Sequence, residues 1–151
     1  MIRSTSQRIQ DTRHLLATED DVWVATASGD AIPHMVPFSL HWDGEHVIIA
    51  TEPGSATVRN LTASPAAKLA IGDSKDVVII TARAVSIADA HKADRQFLQQ
   101  FSLRVGWNPD GADVEMVFVT FKPERVHAWR GVAEISERTI MRRSEWLDTG
   151  R

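Results

Sequence analysis

The first half of the chain alternates short runs of apolar, β-branched residues with turn-forming residues. These runs predict strands over Val22–Ala27, Ile32–Trp42 and His46–Thr51. Asp43-Gly44 lies between the second and third runs, and a two-residue Asp-Gly turn is typical of a β-hairpin. Because the connections are short, the three strands are expected to form an antiparallel meander.

The second half alternates predicted strands with helical patterns. Its predicted strands are Lys68–Gly72, Asp76–Ala88, Val114–Phe121 and Arg125–Trp129. Residues 4–18 and Asp89–Val105 have the apolar spacing of amphipathic helices. The segment after residue 130 either continues the last strand or forms a peripheral hairpin. Because an open sheet of such strands would leave apolar edges unprotected, the pattern predicts a closed or half-closed barrel in a single domain, residues 1–151.

The segment Ala50–Leu61 joins the end of the third strand to a short helix that begins at Ser55. The first turn of a helix presents unpaired N–H groups and the positive end of the helix dipole, which suits a phosphate. Ser55 and Thr57 add hydroxyls, and Arg59 adds a permanent positive charge. The same residues also fit an ordinary helix with Ser55 as its N-cap, so both interpretations are open at this point.

Pro37 interrupts an otherwise regular strand pattern. Proline has no N–H to donate to a neighbouring strand, so the residue predicts a sheet edge, a bulge or a stretch of unpaired backbone. Unpaired backbone beside a phosphate site is a surface on which a planar ligand can lie. A plain edge-strand proline is the alternative interpretation.

Composition excludes several classes of protein. The absence of Cys among 151 residues excludes disulfides, thiol catalysis and thiolate metal sites, and the absence of Tyr excludes tyrosine acid–base chemistry. A net charge of −3 argues against a nucleic-acid partner. No apolar run approaches the ~20 residues of a membrane span, and the N-terminal residues lack the apolar core of a secretion signal. We therefore expect a cytoplasmic protein with no membrane partner.

The polar residues do not form a recognisable catalytic set. Ser39 and Ser55 lack the Gly-x-Ser-x-Gly pattern of a nucleophile elbow. His41, His46 and Asp43 could form a surface metal site across the hairpin, but a solvated hairpin is the favoured interpretation. We therefore predict no metal site and assign no catalytic side chain.

Arg125, His127 and Trp129 share one face of the last predicted strand, because they are two residues apart. Such a trio can contact an anionic ligand. A solvated rim is the favoured interpretation from the sequence alone.

The order of the motifs resembles the pyridoxamine 5′-phosphate oxidase-like family of FMN-binding split barrels, in particular its flavin/deazaflavin oxidoreductase branch. The motifs are, in order, VWVATA, PHMVPFSLHWDG, HVIIAT, EPGSATVRNL and SPAAKLAIGD. Residues 20–90 match closely, and the later elements match in order only. The resemblance implies a mainly β fold, a six- to seven-stranded antiparallel split β-barrel with flanking helices. It also implies a homodimer with the cofactor in a groove between the subunits.

The cofactor contacts that the resemblance implies lie on the second strand, at the end of the third, at the following helix start and near the C-terminus. They are Val36, Pro37 and Phe38 along the ring system, Thr51 at the ring or ribityl side, Ser55, Ala56, Thr57 and Arg59 at the phosphate, and Trp129 contributed by the partner subunit.

The chain departs from the family at the phosphate segment. Many members have Lys at the position of Thr57, often with a further basic residue at the position of Ser55 or Ala56. Either Arg59 takes over this role, or helix N–H groups and two hydroxyls hold the phosphate more weakly. A third possibility is a groove that is empty or holds another ligand.

The resemblance implies an oxidoreductase that uses FMN or, alternatively, a deazaflavin (coenzyme F-420). Hydride would pass to or from a small conjugated substrate, with the cofactor carrying the chemistry while the protein orients it. The alternatives are a non-catalytic flavin- or haem-binding module and a cofactor-free dimer with a vestigial groove.

Overall fold

An antiparallel sheet curls around an apolar core in the computed structural model, which describes residues 2–148, and a second apolar cluster lies between the helix Arg95–Val105 and the sheet. Its strands are β1 (Asp21–Ala27), β2 (Pro33–Ser39), β3 (His41–Trp42), β4 (Val47–Thr51), β5 (Ala66–Asp73), β6 (Asp76–Asp89), β7 (Val117–Trp129), β8 (Thr139–Arg142) and β9 (Glu145–Trp146). The helices are α1 (Thr5–Thr18), α2 (Ala56–Ala63), α3 (Arg95–Val105) and α4 (Val132–Ile135). The sheet order is β2-β1-β5-β6-β7-β4-β3, and β8 and β9 extend β7 as a hairpin.

The first and last strands of this sheet order, β2 and β3, follow each other in the chain and are joined by a bend. β2 and β3 are separated only by Leu40, whose N–H donates to the carbonyl of Asp20 at 2.9 Å. β2 pairs with β1, whereas β3 pairs with β4. The predicted strand Ile32–Trp42 is therefore two strands, and its bend closes the sheet. This confirms the split β-barrel with flanking helices.

Alternation along the strands places the core inside the barrel. On β1, Val22 and Val24 are buried and Trp23 points outward, as expected for a strand with one solvated face. The inside of the barrel is filled by side chains from every long strand, including Ile49, Leu69, Ile80, Val119 and Phe121.

The helix α1 confirms the helix predicted over residues 4–18. Ser4 is its N-cap, and the Ser4 hydroxyl accepts a hydrogen bond from the N–H of Gln7 at 3.0 Å. Ile9 and Leu16 from this helix lie in the barrel core. None of the described helices has the length and the apolar character that crossing a membrane requires.

The helix predicted over Asp89–Val105 is wrong in its first third. β6 extends to the first residue of that range, and a single 3-10 turn, Ala90–Lys92, follows it. α3 then begins after Asp94, whose carboxylate accepts a hydrogen bond from the N–H of Phe97 at 3.1 Å. An Asp side chain that caps a helix stops it from extending further toward its N-terminus, which is why the apolar spacing alone placed the start too early.

The prediction of separate strands over Val114–Phe121 and Arg125–Trp129 is also wrong, because β7 is continuous. The register shifts between Thr81, which pairs with Arg125, and Ala82, which pairs with Pro123. The resulting bulge accommodates a proline in a long strand. The C-terminal segment forms the short helix α4 and the peripheral hairpin, the second of its two predicted interpretations.

Candidate functional site

The barrel is split where β2 diverges from β4. β3 and β4 pair at His41↔Ile48 and Trp42↔Val47. Continued in the same register, this ladder would place Phe38 opposite Thr51. Instead, β2 lies beside β4 without pairing with it, so the edge of β2 that faces away from β1 remains outside any ladder of the described chain.

The start of α2 follows directly from the end of β4 at this split. Ser55 is the N-cap, and its hydroxyl accepts a hydrogen bond from the N–H of Val58 at 3.3 Å, which confirms the predicted cap. The N–H groups of Ala56 and Thr57 belong to the first turn, and such groups have no acceptor within their own helix. The helix start is therefore capped and still carries backbone donors for an anion.

The phosphate residues implied by the resemblance differ in accessibility. Arg59 is exposed, and its guanidinium donates to the carbonyl of Gly54, which holds the charge against the turn that leads into α2. Ser55 and Ala56 are half-buried. Thr57 is only 1% exposed, and its Oγ1 has no hydrogen-bond partner among the described residues. Its hydroxyl is thus a buried donor without an acceptor.

The ring-side residues lie on both faces of β2. Val36 and Phe38 are half-buried and pair with residues of β1 that face the core, whereas Pro37 is exposed and pairs with Trp23. Because β1 is the one described strand that pairs with β2, Pro37 occupies an edge strand, as one of its interpretations predicted. Thr51 is buried at the end of β4.

Trp129 does not join these residues within one chain. It ends β7 and pairs with Val77, whereas Thr51 pairs with Val117 at the other end of β7. A strand of this length spans up to roughly 40 Å, at about 3.3 Å per residue. Trp129 therefore lies far from the split of its own chain.

The possible hairpin metal site does not form, because His41 lies apart from the contacting pair His46 and Asp43. His41 is buried, and its ring packs edge-on against Phe97 with 5.6 Å between ring centroids. Burial, followed by the charge of Arg104, lowers the pKa of His41 against the opposing effect of Asp43. His46 instead places Nδ1 3.1 Å from the carboxylate of Asp43. In the described part of the chain no three His, Cys, Asp or Glu residues form a group that could hold a metal ion.

The outer face of the first strands is apolar. Trp23 is 45% exposed and Met35 is 60% exposed, although both lie on regular strands. Trp23 has Pro37 as its neighbour on β2 and Ala70 on β5, and Ala70 pairs in turn with Ile79 on β6. This surface, the Trp23 face, crosses four strands.

Comparison with known proteins identifies the fold of the chain. The family profile of pyridoxamine 5′-phosphate oxidase matches residues 10–130. An F420 reductase structure is similar, with a TM-score of 0.64, 19% identity, and coverage of 76% of this chain and 94% of that chain. A putative pyridoxamine 5′-phosphate oxidase from Listeria innocua has a TM-score of 0.63, 14% identity, and coverage of 81% and 98%.

A third similar structure is ChuZ from Campylobacter jejuni, with a TM-score of 0.68 and 9% identity; the match covers 85% of this chain and 58% of ChuZ. At these identities, the solved structures show the fold alone. Among curated proteins, none matches the sequence significantly.

Proposed function

The chain belongs to the pyridoxamine 5′-phosphate oxidase family, and on that premise we propose that it is an oxidoreductase that binds FMN at the split between β2 and β4. A deazaflavin is the alternative cofactor. A bound flavin accepts and donates hydride, and a small conjugated molecule is the proposed substrate.

The free edge of β2 beside the start of α2 is the observation that carries this proposal. An unpaired strand edge presents N–H and C=O groups in a row, and the polar edge of a flavin ring can bind such groups. Pro37 contributes a carbonyl and no N–H to this row. Val36 and Phe38 flank Pro37, and Thr51 ends the strand beside them. These residues are proposed to orient the ring.

The start of α2 supports a single phosphate. The N–H groups of Ala56 and Thr57, the positive end of the helix dipole and the guanidinium of Arg59 all favour a negative charge there. The orphaned hydroxyl of Thr57 fits the same group, because a buried donor without an acceptor costs about 1–3 kcal/mol that an anion would recover. Arg59 is the one cation among Ser55, Ala56, Thr57 and Arg59. Because a single cation suits a single phosphate better than several negative charges, the site favours FMN over a deazaflavin with a polyanionic tail.

A homodimer completes the proposed site. Large exposed apolar patches on soluble proteins often mark interaction surfaces, and the Trp23 face is such a patch. Trp129 lies too far along β7 to reach the split of its own chain, so a second copy is proposed to supply it. Met35→Glu is expected to convert dimers to monomers in light-scattering chromatography. Leu103→Glu, at an exposed apolar position on α3, is the matched control and should leave the dimer intact.

The proposed residues bind and orient the cofactor, and none is assigned a proton transfer. A non-catalytic flavin- or haem-binding module is the second candidate. The basic residues at the proposed phosphate site favour this module. Arg59 is the single cation there, whereas many members of the family carry more basic residues at the corresponding positions.

An absorbance scan of the freshly purified protein, followed by titration with FMN and with a deazaflavin, tests the proposal. Bound flavin, or FMN binding in the micromolar range, is the expected result. Reduction of the bound flavin by a nicotinamide or deazaflavin donor then separates the oxidoreductase from the binding module. If neither cofactor binds at tens of micromolar, the enzyme proposal fails.

A further inference from the structure

The last part of β6 has one edge that no neighbouring strand covers. β5 begins at Ala66, and the pairing of β5 with β6 ends where Ala66 lies opposite Arg83. β6 nevertheless continues along β7 as far as Asp89. Beyond Arg83, no described strand pairs with the side of β6 that faces away from β7. We call residues 85–89 of β6 the open edge.

The open edge lacks the two kinds of residue that most often protect a strand from an added partner. Residues 85–88 contain neither proline nor a charged residue. Val85 and Ile87, two β-branched residues, are 50% and 38% exposed. An unprotected edge of this kind is a template for an extended chain, because its unpaired N–H and C=O groups can form main-chain hydrogen bonds with it.

An apolar groove of about 600 Å³ adjoins the open edge. β4, β6 and β7 supply its floor, and the start of α3 supplies its wall. The apolar side chains that line it are Ile48, Ile87, Ala88, Ala93, Phe97 and Phe118. Ala88 pairs with Phe118, so a side chain of an added strand on this face of the sheet projects over the groove. The groove has the size of a small-molecule pocket, roughly 300–1,000 Å³, and accommodates one large apolar side chain.

The rim of the groove is acidic. Three carboxylates, Asp43, Asp89 and Asp94, line it together with one cation, Lys92. Lys92 lies 3.7 Å from the carboxylate of Asp89, whereas no Lys or Arg of residues 2–148 forms an ion pair with Asp43 or Asp94. A basic residue on a partner complements this rim.

Asp43 keeps its negative charge at neutral pH. Burial raises its pKa, but hydrogen bonds from the two backbone N–H groups that follow it in the turn, and from the ring of His46, outweigh burial and lower the pKa. The negative rim is therefore present under the conditions in which a partner would bind.

We propose that the open edge and the groove bind an extended peptide segment of a partner protein, one that carries a large apolar side chain close to a Lys or Arg. The segment adds a strand to β6. Its apolar side chain enters the groove, and a basic side chain two residues away, on the same face of the added strand, meets the acidic rim. The free backbone selects an extended chain, the groove selects an apolar side chain, and the rim selects a cation.

This peptide site is separate from the proposed cofactor site. None of its residues belongs to the Trp23 face, and none belongs to the set proposed to hold FMN. The inference therefore does not rest on the proposed function. A protein that binds no flavin can still bind the peptide, and one that binds flavin can fail to bind it.

The capped peptide Ac-Lys-Thr-Phe-Thr-Lys-NH2 is the probe, because its Phe and both Lys side chains share one face of a strand. Titrated into isotope-labelled protein, it should shift the backbone NMR signals of residues 85–89 and of Phe97 saturably. It should also slow hydrogen exchange at the open edge, because an added strand protects the N–H groups there. No saturable shift at about 5 mM peptide, where a complex with a Kd of about 1 mM is mostly formed, would overturn the proposal.

Two N-methylated peptides test strand addition directly. Alternate residues of a strand direct their N–H groups to opposite edges. Methylation of both Thr nitrogens therefore blocks one edge of the peptide, and methylation of the Phe and Lys nitrogens blocks the other. One of the two peptides should bind at least about tenfold more weakly than the other, because a single edge pairs with β6. Equal affinities would contradict strand addition.

A charge-reversed peptide tests the acidic rim. The analogue with Glu in place of both Lys residues should bind at least about fivefold more weakly than the probe, because like charges then meet at the rim. Equal binding of the two peptides would contradict the role given to the rim.

Protein variants locate the site. Ala88→Trp should weaken probe binding at least about tenfold by filling the groove from an exposed position. Asp89→Asn should weaken it about threefold by removing one rim charge. Asp30→Asn is the matched control, because Asp30 is an exposed carboxylate in the turn between β1 and β2. An equal loss in Asp30→Asn, or no loss in both groove variants, would contradict the site. The NMR signals of the barrel core report whether each variant is folded.

Light-scattering chromatography distinguishes a peptide partner from a second copy of the chain. If open edges pair with each other, the protein should form assemblies larger than a dimer that Ile87→Lys abolishes, because a charge on an edge strand disfavours pairing. Such assemblies, together with no binding of the probe, would assign the open edge to a second copy and overturn the proposal.

Discussion

The amide nitrogen of Asn60 lies 3.0 Å from Oγ1 of Thr26 and joins α2 to β1. Both side chains are buried, at 9% and 6% exposure. From the same helix, Val58 and Leu61 pack into the barrel core. The hydrogen bond therefore fixes the helix whose first turn lies at the split, and it couples the proposed phosphate site to the fold.

Thr26→Val should destabilise the protein by about 1–3 kcal/mol, because it leaves the buried amide of Asn60 without its acceptor. The FMN affinity should fall as well, since α2 is held less firmly. Urea unfolding measures the first effect. Thr62→Val is the matched control; its hydroxyl donates to the carbonyl of Val58 on an exposed turn of α2, so the change should stay within about 0.5 kcal/mol. Equal stability of Thr26→Val and wild type would contradict the importance of this bond.

Arg59→Ala should weaken FMN binding about tenfold and make it less dependent on salt, because Arg59 supplies the side-chain cation at the proposed phosphate site. The free energy of unfolding should change by less than about 0.5 kcal/mol, because Arg59 is exposed. Flavin fluorescence titration at two salt concentrations measures the affinity. Arg83→Ala, which removes another exposed cation on β6, should bind FMN as wild type does. An unchanged affinity in Arg59→Ala would remove this residue from the phosphate site.

Ala56→Lys should strengthen FMN binding about three- to tenfold by adding a second cation in the first turn of α2. The same change should lower the stability of the flavin-free protein by about 0.3–1 kcal/mol, because a positive charge is unfavourable at a helix N-terminus. Affinity and stability thus move in opposite directions. Ala63→Lys, at the other end of α2, serves as the control and should not alter the FMN affinity. A variant that binds FMN no better than wild type would argue against a phosphate at this turn.

Glu134 should make the protein more stable above about pH 4.5 than below it. The hydrogen bond from the side chain of Arg3 is the main cause that lowers the pKa of Glu134 from 4.5 to about 2, against burial, which raises it. The N–H groups of Arg3 and Arg130 also donate to this carboxylate, each at 2.8 Å. A carboxylate whose pKa is lowered by folding contributes stability above its unfolded pKa and loses it as the pH falls through its folded pKa.

Glu134→Gln should therefore cost on the order of 3 kcal/mol at pH 7, with the deficit shrinking between about pH 4.5 and pH 2. Urea unfolding across this pH range gives the comparison. Glu137→Gln, at an exposed position nearby, should show no such pH-dependent deficit. A deficit that stays constant down to pH 2 would assign the loss to packing rather than to charge.

Local signals in the sequence determined most of the elements and the helix cap at Ser55. Ser4 and Ser55 cap their helices through hydrogen bonds to residues three positions on, and Asp43-Gly44 turns the hairpin between β3 and β4. Such interactions span a few residues, so the sequence pattern contains them completely. The order of the motifs also sufficed to identify the family. The cofactor residues named from that resemblance stay predictions until a ligand is bound.

Only the tertiary structure decided how distant segments meet. The bend at Leu40 lets one predicted strand close the barrel, and a bulge keeps Pro123 inside a continuous β7. Strand pairing likewise placed Lys68 and Arg125 on either side of Thr81 and separated Trp129 from Thr51. Each of these outcomes depends on register and on packing between strands that are far apart in the sequence. Alternation along a single strand determines which face of the sheet a side chain takes. It does not determine which residue on the neighbouring strand that side chain meets.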